Sequence, residues 1–332
     1  MSRLAIIGGG SWGTALALAL APKYDSVRLW VFEPYLADTI NRTRINDLFL
    51  PGFKLPAAIE AGTRLGWAID AAETVLGVMP SHHARSIYTQ LAPHAAPDML
   101  FVSATKGLEP DSLLRISEVI RDVLKPRFEA RIGVLSGPTF AREIARGEPA
   151  AIVISSIDAD LARTIQHRFA GPSFRLYTNS DPVGVEIGAA LKNVIAIAAG
   201  VCAGLGLGAN TMAALITRGL AEITRLAIAA GGSARTLAGL AGLGDLVLTC
   251  NGELSRNRTV GYQLGQGKPL SEILGGMRMV AEGVQTTSAA VALAARLRVE
   301  VPIAAQMHAV LYQDKSPKAA LRDLMERSLK EE

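Results

Sequence analysis

Lys192 is the residue whose surroundings most strongly suggest chemistry. It interrupts a largely apolar segment, residues 189–195, that is predicted to be helical. Burying an unpaired lysine is costly, so a lysine in such a segment either extends its amine to water or has a chemical task. Burial also lowers the pKa of a lysine, which suits it to donate a proton to a carbonyl oxygen. We therefore predict a general acid, with Asp245 as its candidate partner; a cap or turn carboxylate is the alternative role for Asp245.

A glycine-rich turn near the start of the sequence is the second candidate site. Residues 8–13 fit the pattern G-x-G-x-x-G, follow an apolar run typical of a strand and precede a run typical of a helix. In a dinucleotide-binding turn, Gly8 permits the tight bend, Gly10 lets a pyrophosphate approach the backbone, and Gly13 lets the helix pack closely on the strand. The helix N-terminus then faces the phosphates. The pattern predicts a dinucleotide cofactor; a glycine turn without a ligand is the alternative.

Glu33 stands where a dinucleotide-binding fold places the acid that binds the adenosine ribose. It follows the second predicted strand and lies 20 residues after Gly13 (33 − 13). Such a carboxylate accepts hydrogen bonds from the ribose hydroxyls of NAD. Positions 29–33 contain no arginine that would neutralise the 2′-phosphate of NADP. The sequence thus favours NAD, and a solvated loop carboxylate is the alternative.

Two more segments follow predicted strands, at the carboxyl ends where open α/β sheets bind ligands. Lys106 follows the strand Leu100–Ser103 and would serve an anionic substrate. Gly137 and Thr139 lie between a strand and a helix, where backbone amides and a hydroxyl can hold an anion or a carbonyl oxygen. The alternatives are a surface lysine and an ordinary helix cap.

A basic turn is predicted to begin a helix at Ser255. Ser255, Arg256, Asn257 and Arg258 place two guanidinium groups and two polar side chains together. The guanidinium fork matches phosphate geometry, and a helix N-terminus also favours anions. The segment predicts phosphate binding, with a solvated basic turn as the alternative.

The elements that must position these residues divide the chain into two parts. Up to about residue 182, apolar runs rich in β-branched residues alternate with helical stretches, which predicts a parallel, doubly wound sheet covered on both faces. The predicted strands are Leu4–Ile7, Ser26–Val31, Thr74–Val78, Leu100–Ser103, Ile132–Leu135, Ala151–Ile154 and Phe174–Tyr177. The predicted helices run from the glycine turn to Ala21 and over His83–Leu91, Leu113–Leu124 and Leu161–Phe169.

Beyond residue 182, apolar residues recur at helical spacing and we predict no strand. The predicted helices there are Thr211–Ala230, Ser255–Leu264, Thr287–Leu297 and Ile303–Tyr312. We therefore expect an N-terminal Rossmann-like α/β domain, residues 1–182, that binds the dinucleotide. An all-α domain, residues 183–332, would bind the substrate.

Composition excludes several classes of protein. The chain of 332 residues is 49% hydrophobic and 19% charged, which supports packed cores and argues against disorder. Its net charge of +4 is dispersed, and nucleic-acid binding usually needs a clustered basic stripe. We expect a small anionic substrate instead, with no bound nucleic acid and no metal site. Two cysteines in so long a chain fit a reducing cytoplasm.

One long uncharged segment, residues 193–217, has the composition of a membrane span. Glycines at positions 200, 204, 206 and 208 interrupt it in the middle, and glycine is unfavourable inside a helix. We therefore predict a buried helix–loop–helix and no membrane span.

Taken together, these segments resemble the bacterial-type NAD(P)-dependent glycerol-3-phosphate dehydrogenases. The resemblance extends in order over nearly the whole chain and is most specific in the later segments. The segments are residues 8–13, 79–82, 104–109, 136–141, 192–197, 242–250, 255–258 and 280–283.

The resemblance implies reversible reduction of dihydroxyacetone phosphate to sn-glycerol 3-phosphate, which supplies glycerophospholipid synthesis, and a homodimer. It implies that Lys192 is the proton donor and acceptor at the substrate. In the family, substrate is also bound at the positions matching Lys106, Gly137, Thr139, Asp245, Ser255, Arg256 and Asn257. The cofactor is bound at the positions matching Ser11, Trp12, Lys106, Ala141, Arg256, Val280 and Glu282.

One departure from the family bears on the cofactor. Many members carry a His or Arg where this chain has Phe32, and such a residue accepts a 2′-phosphate. We therefore expect NAD as the main cofactor, with NADP as a second. Two rival readings stay open: a related 3-hydroxyacid or sugar-acid dehydrogenase, against which Arg256 argues, and a nucleotide-sensing protein, which would need neither Lys192 nor Asp245.

Overall fold

Residues up to Asn179 form the strands of the protein. The structure is a computed structural model that describes residues 2–277 and 280–328, so the outer limits of the two predicted domains, residues 1 and 332, lie outside it. Within the described residues the strands are β1 Arg3–Ile7, β2 Ser26–Trp30, β3 Ile45–Asn46, β4 Leu50–Lys54, β5 Ile59–Gly62, β6 Thr74–Gly77, β7 Leu100–Ser103, β8 Arg131–Ser136, β9 Ala150–Ser155 and β10 Phe174–Asn179.

Helices connect most of these strands. They are α1 Ser11–Leu20, α2 Pro34–Thr43, α3 Leu65–Ile69, α4 Ala84–Leu91, α5 Ile116–Leu124, α6 Ala141–Ala145 and α7 Ala159–Phe169. The helix predicted from Leu113 begins three residues later, because Leu113 has a φ of 61° and lies in the left-handed region, which cannot continue a right-handed helix.

The eight-stranded sheet has the order β10-β9-β8-β7-β6-β1-β2-β5. Alternate residues of β1 point to opposite faces: Leu4 and Ile6 pack in a core with α1 and α7, whereas Ala5 and Ile7 pack in a core with α4 and α5. Helices therefore cover both faces, which confirms the doubly wound α/β fold.

The predicted parallel sheet has one exception among its described pairs, since β8 and β9 pair antiparallel. The connection between them contains only the five-residue helix α6, which rises about 7.5 Å. The six-residue strand β8 is longer, at about 20 Å. The chain therefore re-enters the sheet at the end of the strands at which β8 left it, so β9 runs antiparallel to β8. Strand β10 then pairs parallel with β9.

Two β-structures of the N-terminal half were absent from the prediction, as were the helices α2 and α3 and the bounds of α6. Strand β5 is short and pairs parallel with β2 at the sheet edge. Strands β3 and β4 form a separate antiparallel hairpin with an irregular register. Neither segment carries the run of β-branched residues on which strand prediction depends.

The α/β part of the chain ends at Asp181, just before the first helix of the all-α part. The Oδ1 atom of Asp181 accepts a hydrogen bond from Gly184 N at 2.8 Å, and Pro182 opens the following helix. The remaining described residues hold no strand. Their helices are α8 Pro182–Gly204, α9 Ala209–Ala229, α10 Ala234–Leu237, α11 Asp245–Asn251, α12 Arg256–Gly265, α13 Leu270–Gly275, α14 Glu282–Leu297, α15 Pro302–Tyr312 and α16 Pro317–Met325.

Helix α8 is the axis of this half, and α9, α11, α12 and α14 pack against it. Among the described residues it alone is long and apolar enough to cross a membrane, but 89% of its most apolar window is buried inside the protein. The predicted helix–loop–helix is confirmed, with a loop at residues 205–208. The second helix is less buried than predicted, because much of residues 209–218 is exposed.

Candidate active site

The glycine turn joins β1 to α1 and is closed on two sides. Gly8 has a φ of 127°, and a Cβ atom there would lie 2.7 Å from the carbonyl oxygen of Val78. A Cβ atom on Gly13 would lie 1.8 Å from the Gly8 oxygen, so the helix packs directly on the turn. A Cβ atom on Gly10, in contrast, would meet no atom within 4 Å. The turn is thus packed at Gly8 and Gly13 and open at Gly10, which fits the approach of a pyrophosphate to the N-terminus of α1.

Ser11 and Trp12 form the first turn of α1. The Ser11 hydroxyl donates to the carbonyl oxygen of Phe49 at 2.6 Å. The indole Nε1 of Trp12 is buried and lacks a hydrogen-bond partner in the described part of the chain. A buried donor without a partner is costly, so a ligand oxygen would satisfy it.

Glu33 occupies the N-cap position of α2, just after β2, and its residue is partly buried. Phe32 beside it is 78% exposed and offers no charge. Arg44 donates through its Nε and Nη2 atoms to the backbone carbonyls of Leu55, Pro56 and Ile59, which hold its guanidinium there. Glu33 therefore provides a carboxylate directly after β2, beside the uncharged Phe32.

Lys192 and Asp245 form a buried ion pair between α8 and α11, as the sequence suggested. The Lys192 ammonium donates to Asp245 Oδ1 and, at 2.8 Å, to Thr249 Oγ1. The Asp245 side chain is fully buried and that of Lys192 is 6% exposed. Burial lowers the pKa of Lys192 to about 8, although the charge of Asp245 raises it. The lysine therefore gives up its proton at a lower pH than an exposed lysine does.

Lys106 reaches the same carboxylate from the opposite half of the protein. Its Nζ atom donates to Asp245 Oδ2 at 2.8 Å and to the carbonyl oxygen of Gly137 at 3.2 Å. The positive charge of Lys106 also lowers the pKa of Lys192. One aspartate thus lies between two lysines, and the cluster keeps a net positive charge.

Gly137 and Thr139 lie between β8 and α6, beside Lys106, and Ala141 is the first residue of α6. Gly137 has a φ of 153°, and a Cβ atom there would lie 3.0 Å from the Cα atom of Ile152. The Thr139 hydroxyl donates back to the Gly137 oxygen at 3.2 Å. Thr139 and Ala141 are partly exposed.

Arg256 and Glu282 belong to the helix starts of α12 and α14. Arg256 is exposed and donates to the carbonyl oxygen of Val280 at 2.8 Å. Burial raises the pKa of Glu282 to about 7. The charges of Arg256, Lys106 and Lys192 act in the opposite direction, so this carboxyl lies within electrostatic reach of all three.

Asn257 links three helices and is only 8% exposed. Its Nδ2 atom donates to Asn193 Oδ1 at 3.0 Å, and its Oδ1 atom accepts from Gly283 N at 2.9 Å. Ser255 caps α12 by accepting from Arg258 N at 3.3 Å. Most hydrogen-bonding groups of Asn257 and Ser255 have partners inside the protein, whereas the side chain of Arg256 is exposed to solvent.

Thr249 is the residue at this site that the sequence analysis missed. Its hydroxyl donates to the Asp245 carbonyl oxygen at 2.6 Å and accepts from Lys192. Thr249 follows Asp245 by one helical turn on α11. Residues four positions apart lie on the same face of a helix, so this spacing from Asp245 within residues 242–250 would have identified Thr249.

A Rossmann sheet with an open glycine turn, facing a helical half that holds a buried lysine–carboxylate pair, defines a dinucleotide-dependent oxidoreductase. The chain belongs to the NAD-dependent glycerol-3-phosphate dehydrogenase family. The model of that family's N-terminal part matches residues 3–162, and the model of its C-terminal part matches residues 181–322.

Individual relatives are similar to the chain over nearly their full length. The chain is 59% identical to the glycerol-3-phosphate dehydrogenase [NAD(P)+] of Koribacter versatilis, over 98% of each chain. It is 52% identical to that of Geobacter metallireducens, over 99% of this chain and 98% of the relative. The crystal structure of glycerol-3-phosphate dehydrogenase from Coxiella burnetii matches with a TM-score of 0.94 at 38% identity, over 98% of this chain and 99% of that one.

Proposed function

We propose that the protein interconverts dihydroxyacetone phosphate and sn-glycerol 3-phosphate with NADH or NADPH, and that it supplies glycerophospholipid synthesis. The observation that carries the proposal is the cluster of Lys192, Asp245 and Lys106 in a chain of this family. The cluster offers a proton donor with a lowered pKa and an excess of positive charge, which suits a ketone bearing a phosphate.

Lys192 is the proposed proton donor to the ketone oxygen. A lysine ammonium has three N–H groups. Two of them donate to Asp245 and Thr249, so the third is left for a substrate oxygen. The bound dinucleotide supplies the hydride for the carbonyl carbon. In the reverse direction, neutral Lys192 accepts the proton of the secondary hydroxyl.

Asp245 is the proposed anchor of both lysines. Its two oxygens bind different ammonium groups, which fixes their separation across the two halves of the protein. The charge of Asp245 also raises the pKa of Lys192 against the effect of burial, so Lys192 stays protonated to a higher pH. The proposed role of Lys106, held in this way, is to contact both substrate and cofactor.

Arg256 is the proposed phosphate ligand. Its guanidinium is exposed at the start of α12 and uses one N–H group on the Val280 oxygen. The remaining donors of the fork match two phosphate oxygens. Gly137, Thr139, Ser255 and Asn257 would complete the substrate contacts.

The test of this function is NADH oxidation by the purified protein. We expect turnover with dihydroxyacetone phosphate and much weaker turnover with unphosphorylated dihydroxyacetone. A 3-keto acid without phosphate serves as the control for a 3-hydroxyacid dehydrogenase. Turnover of the keto acid alone would reject the proposal, and NADH binding without any turnover would identify a nucleotide sensor.

We also propose that NADH is preferred over NADPH. Glu33 would accept hydrogen bonds from the ribose hydroxyls, and it would repel the 2′-phosphate. Phe32 provides no compensating cation, and the guanidinium of Arg44 is held by backbone carbonyls. We expect higher kcat/KM with NADH, a smaller difference in Glu33→Ala, and a still smaller one when Phe32→Arg is added. A preference of the unmodified protein for NADPH would contradict this assignment.

A homodimer in the cytoplasm is the proposed state of the protein. Residues 209–217 of α9 carry no charge, and Ala213 and Ala214 are exposed there beside partly buried Met212 and Ile216. This surface supports contact with a second copy. Cys202 and Cys250 are free and buried, as suits a reducing compartment. Sedimentation should give twice the chain mass, and Ala213→Glu should halve it; a monomer at the start would contradict the proposal.

A further inference from the structure

Asn46 lies beneath the glycine turn, on the hairpin that the sequence analysis missed. It is completely buried, although it is polar and belongs to the two-residue strand β3. Its Nδ2 atom donates to the Gly9 carbonyl oxygen and to the Thr14 hydroxyl oxygen, both at 2.8 Å. Its Oδ1 atom accepts from Phe49 N at 3.1 Å. One carboxamide therefore joins the hairpin to the turn and to α1.

Two further bonds complete the attachment. The Thr14 hydroxyl donates to the same Gly9 oxygen at 3.2 Å. The Ser11 hydroxyl donates to the Phe49 oxygen at 2.6 Å. The hairpin thus binds the turn at its centre, through Gly9, and at the start of α1, through Ser11. The Gly9 oxygen receives two donors and cannot turn outward without losing both.

The orientation of the Gly9 oxygen determines where the next amide points. The chain has no cis peptide bond in its described residues. In a planar trans peptide, the C=O of one residue and the N–H of the next point in opposite directions. Holding the Gly9 oxygen toward Asn46 therefore directs the Gly10 N–H away from the hairpin. At Gly10 the surroundings are open, since an added Cβ atom would meet nothing within 4 Å.

We propose that Asn46 is a positioning residue for the dinucleotide: it sets the Gly9–Gly10 peptide so that the Gly10 amide faces the pyrophosphate. The proposal rests on the dinucleotide-binding role of the glycine turn. It adds to that role a residue 33 positions beyond Gly13 (46 − 13) that itself needs no contact with the ligand.

The test compares two asparagines that both bind backbone groups. Asn46→Asp keeps the acceptor for Phe49 N but replaces the donor with an oxygen that repels the Gly9 oxygen. Asn41→Ala is the control, because Asn41 donates to the Ala61 oxygen at 2.8 Å and accepts from Ala61 N at 2.9 Å, away from the turn. For each ligand-free protein, the Kd for NADH is measured by calorimetry together with the melting temperature, followed by kcat and the KM values.

For Asn46→Asp we expect the Kd and KM for NADH to rise by about tenfold, the effect of losing an ordering hydrogen bond. The KM for dihydroxyacetone phosphate and the kcat at saturating NADH should change little. In Asn41→Ala the melting temperature should fall with the Kd unchanged. A rise in Kd of equal size in both variants, or in neither, would overturn the proposal.

Thr14→Val provides the second test in case Asn46→Asp does not fold. It removes only the hydroxyl that supports the Gly9 oxygen, and valine fills nearly the same volume. We expect a smaller rise in the Kd for NADH, of about threefold; an unchanged Kd in the folded variant would contradict the role of this peptide. Failure of the unmodified protein to bind NADH would instead reject the proposed function itself.

Discussion

Two buried carboxylates join the sheet half of the protein to its helical half, and their partners differ. Asp245 binds two lysines, Lys106 from the sheet half and Lys192 from α8. Glu186, also on α8, accepts from Arg115 Nη1 at 2.8 Å. It also accepts from the backbone N and the hydroxyl of Ser117, at 2.8 and 2.6 Å. Both carboxylates are almost inaccessible to solvent.

The difference lies in the balance of charge. Around Asp245 there are two cations for one anion, so the cluster can accept a further anion or give up a proton. Around Glu186 the single cation, Arg115, also pairs with Glu118, and the remaining donors are neutral. Burial raises the pKa of Glu186 despite these bonds. Burial alone therefore does not identify a reactive site; the excess of cations around Asp245 separates it from the Glu186 cluster, in which two carboxylates share one arginine.

The largest expected effect comes from removing the excess cation. Lys192→Met keeps most of the bulk of the side chain and removes the ammonium. We expect kcat to fall by about 10²–10⁴-fold, the usual loss for a general acid, with little change in NADH affinity. Stability should change little, because Asp245 keeps Lys106. Steady-state kinetics check this, with the exposed lysine variant Lys23→Met as control, and a Lys192→Met enzyme that keeps most of its kcat would refute the assignment.

The corresponding change at the Glu186 cluster should affect folding instead. Glu186→Ala leaves Arg115 without its buried partner, and the free energy of unfolding should fall by about 3–5 kcal/mol. The kcat of the folded enzyme should stay close to that of the unmodified protein. Urea unfolding measures the loss. Glu118→Ala removes the more exposed partner of Arg115 and the bond from the Arg115 backbone N that caps α5, and it should cost less, about 0.5–2 kcal/mol. Equal losses of unfolding free energy in Glu186→Ala and Glu118→Ala would contradict the structural role assigned to the buried Glu186–Arg115 pair.

The Arg256→Ala variant tests whether the positive charge of the site also binds the phosphate of the substrate. In Arg256→Ala, kcat/KM for dihydroxyacetone phosphate should fall about 10–150-fold more than kcat/KM for dihydroxyacetone, as expected for a lost charge-assisted bond. The unphosphorylated substrate serves as the internal control. Equal fractional losses for both substrates would mean that Arg256 supports the fold or the cofactor rather than the phosphate.

The smallest expected effect is the pH dependence of the reaction. The pKa of Lys192 is lowered to about 8 by burial. Ketone reduction needs the protonated lysine, so its kcat/KM should be level below pH 8 and fall about tenfold per unit above it. Glycerol 3-phosphate oxidation needs the neutral lysine, so its kcat/KM should rise through pH 8. Profiles in both directions, compared with Lys192→Met, test this, and a reduction rate that is level up to pH 10 would contradict it.

Local patterns in the sequence were sufficient for much of this protein. The glycine turn, the alternation of strands and helices, and the family segments predicted the α/β fold, the all-α half and the family, and these predictions are confirmed. Each depends on neighbouring residues: the spacing of Gly8, Gly10 and Gly13, or the apolar period along a helix. Lys192 stood out because charge inside an apolar helix is costly wherever the helix packs.

Other features were decided only by the tertiary structure. The antiparallel pairing of β8 with β9 depends on how far α6 carries the chain, which no local pattern records. Asn46 reaches Gly9 across 37 positions, and Lys106 meets Asp245 across 139. The carboxylates of Asp245 and Glu186 look alike in sequence, and packing alone placed two lysines beside one and a single arginine beside the other. Contacts between distant segments depend on how whole elements pack, because the energy of a side chain is set by partners that the chain brings together only on folding.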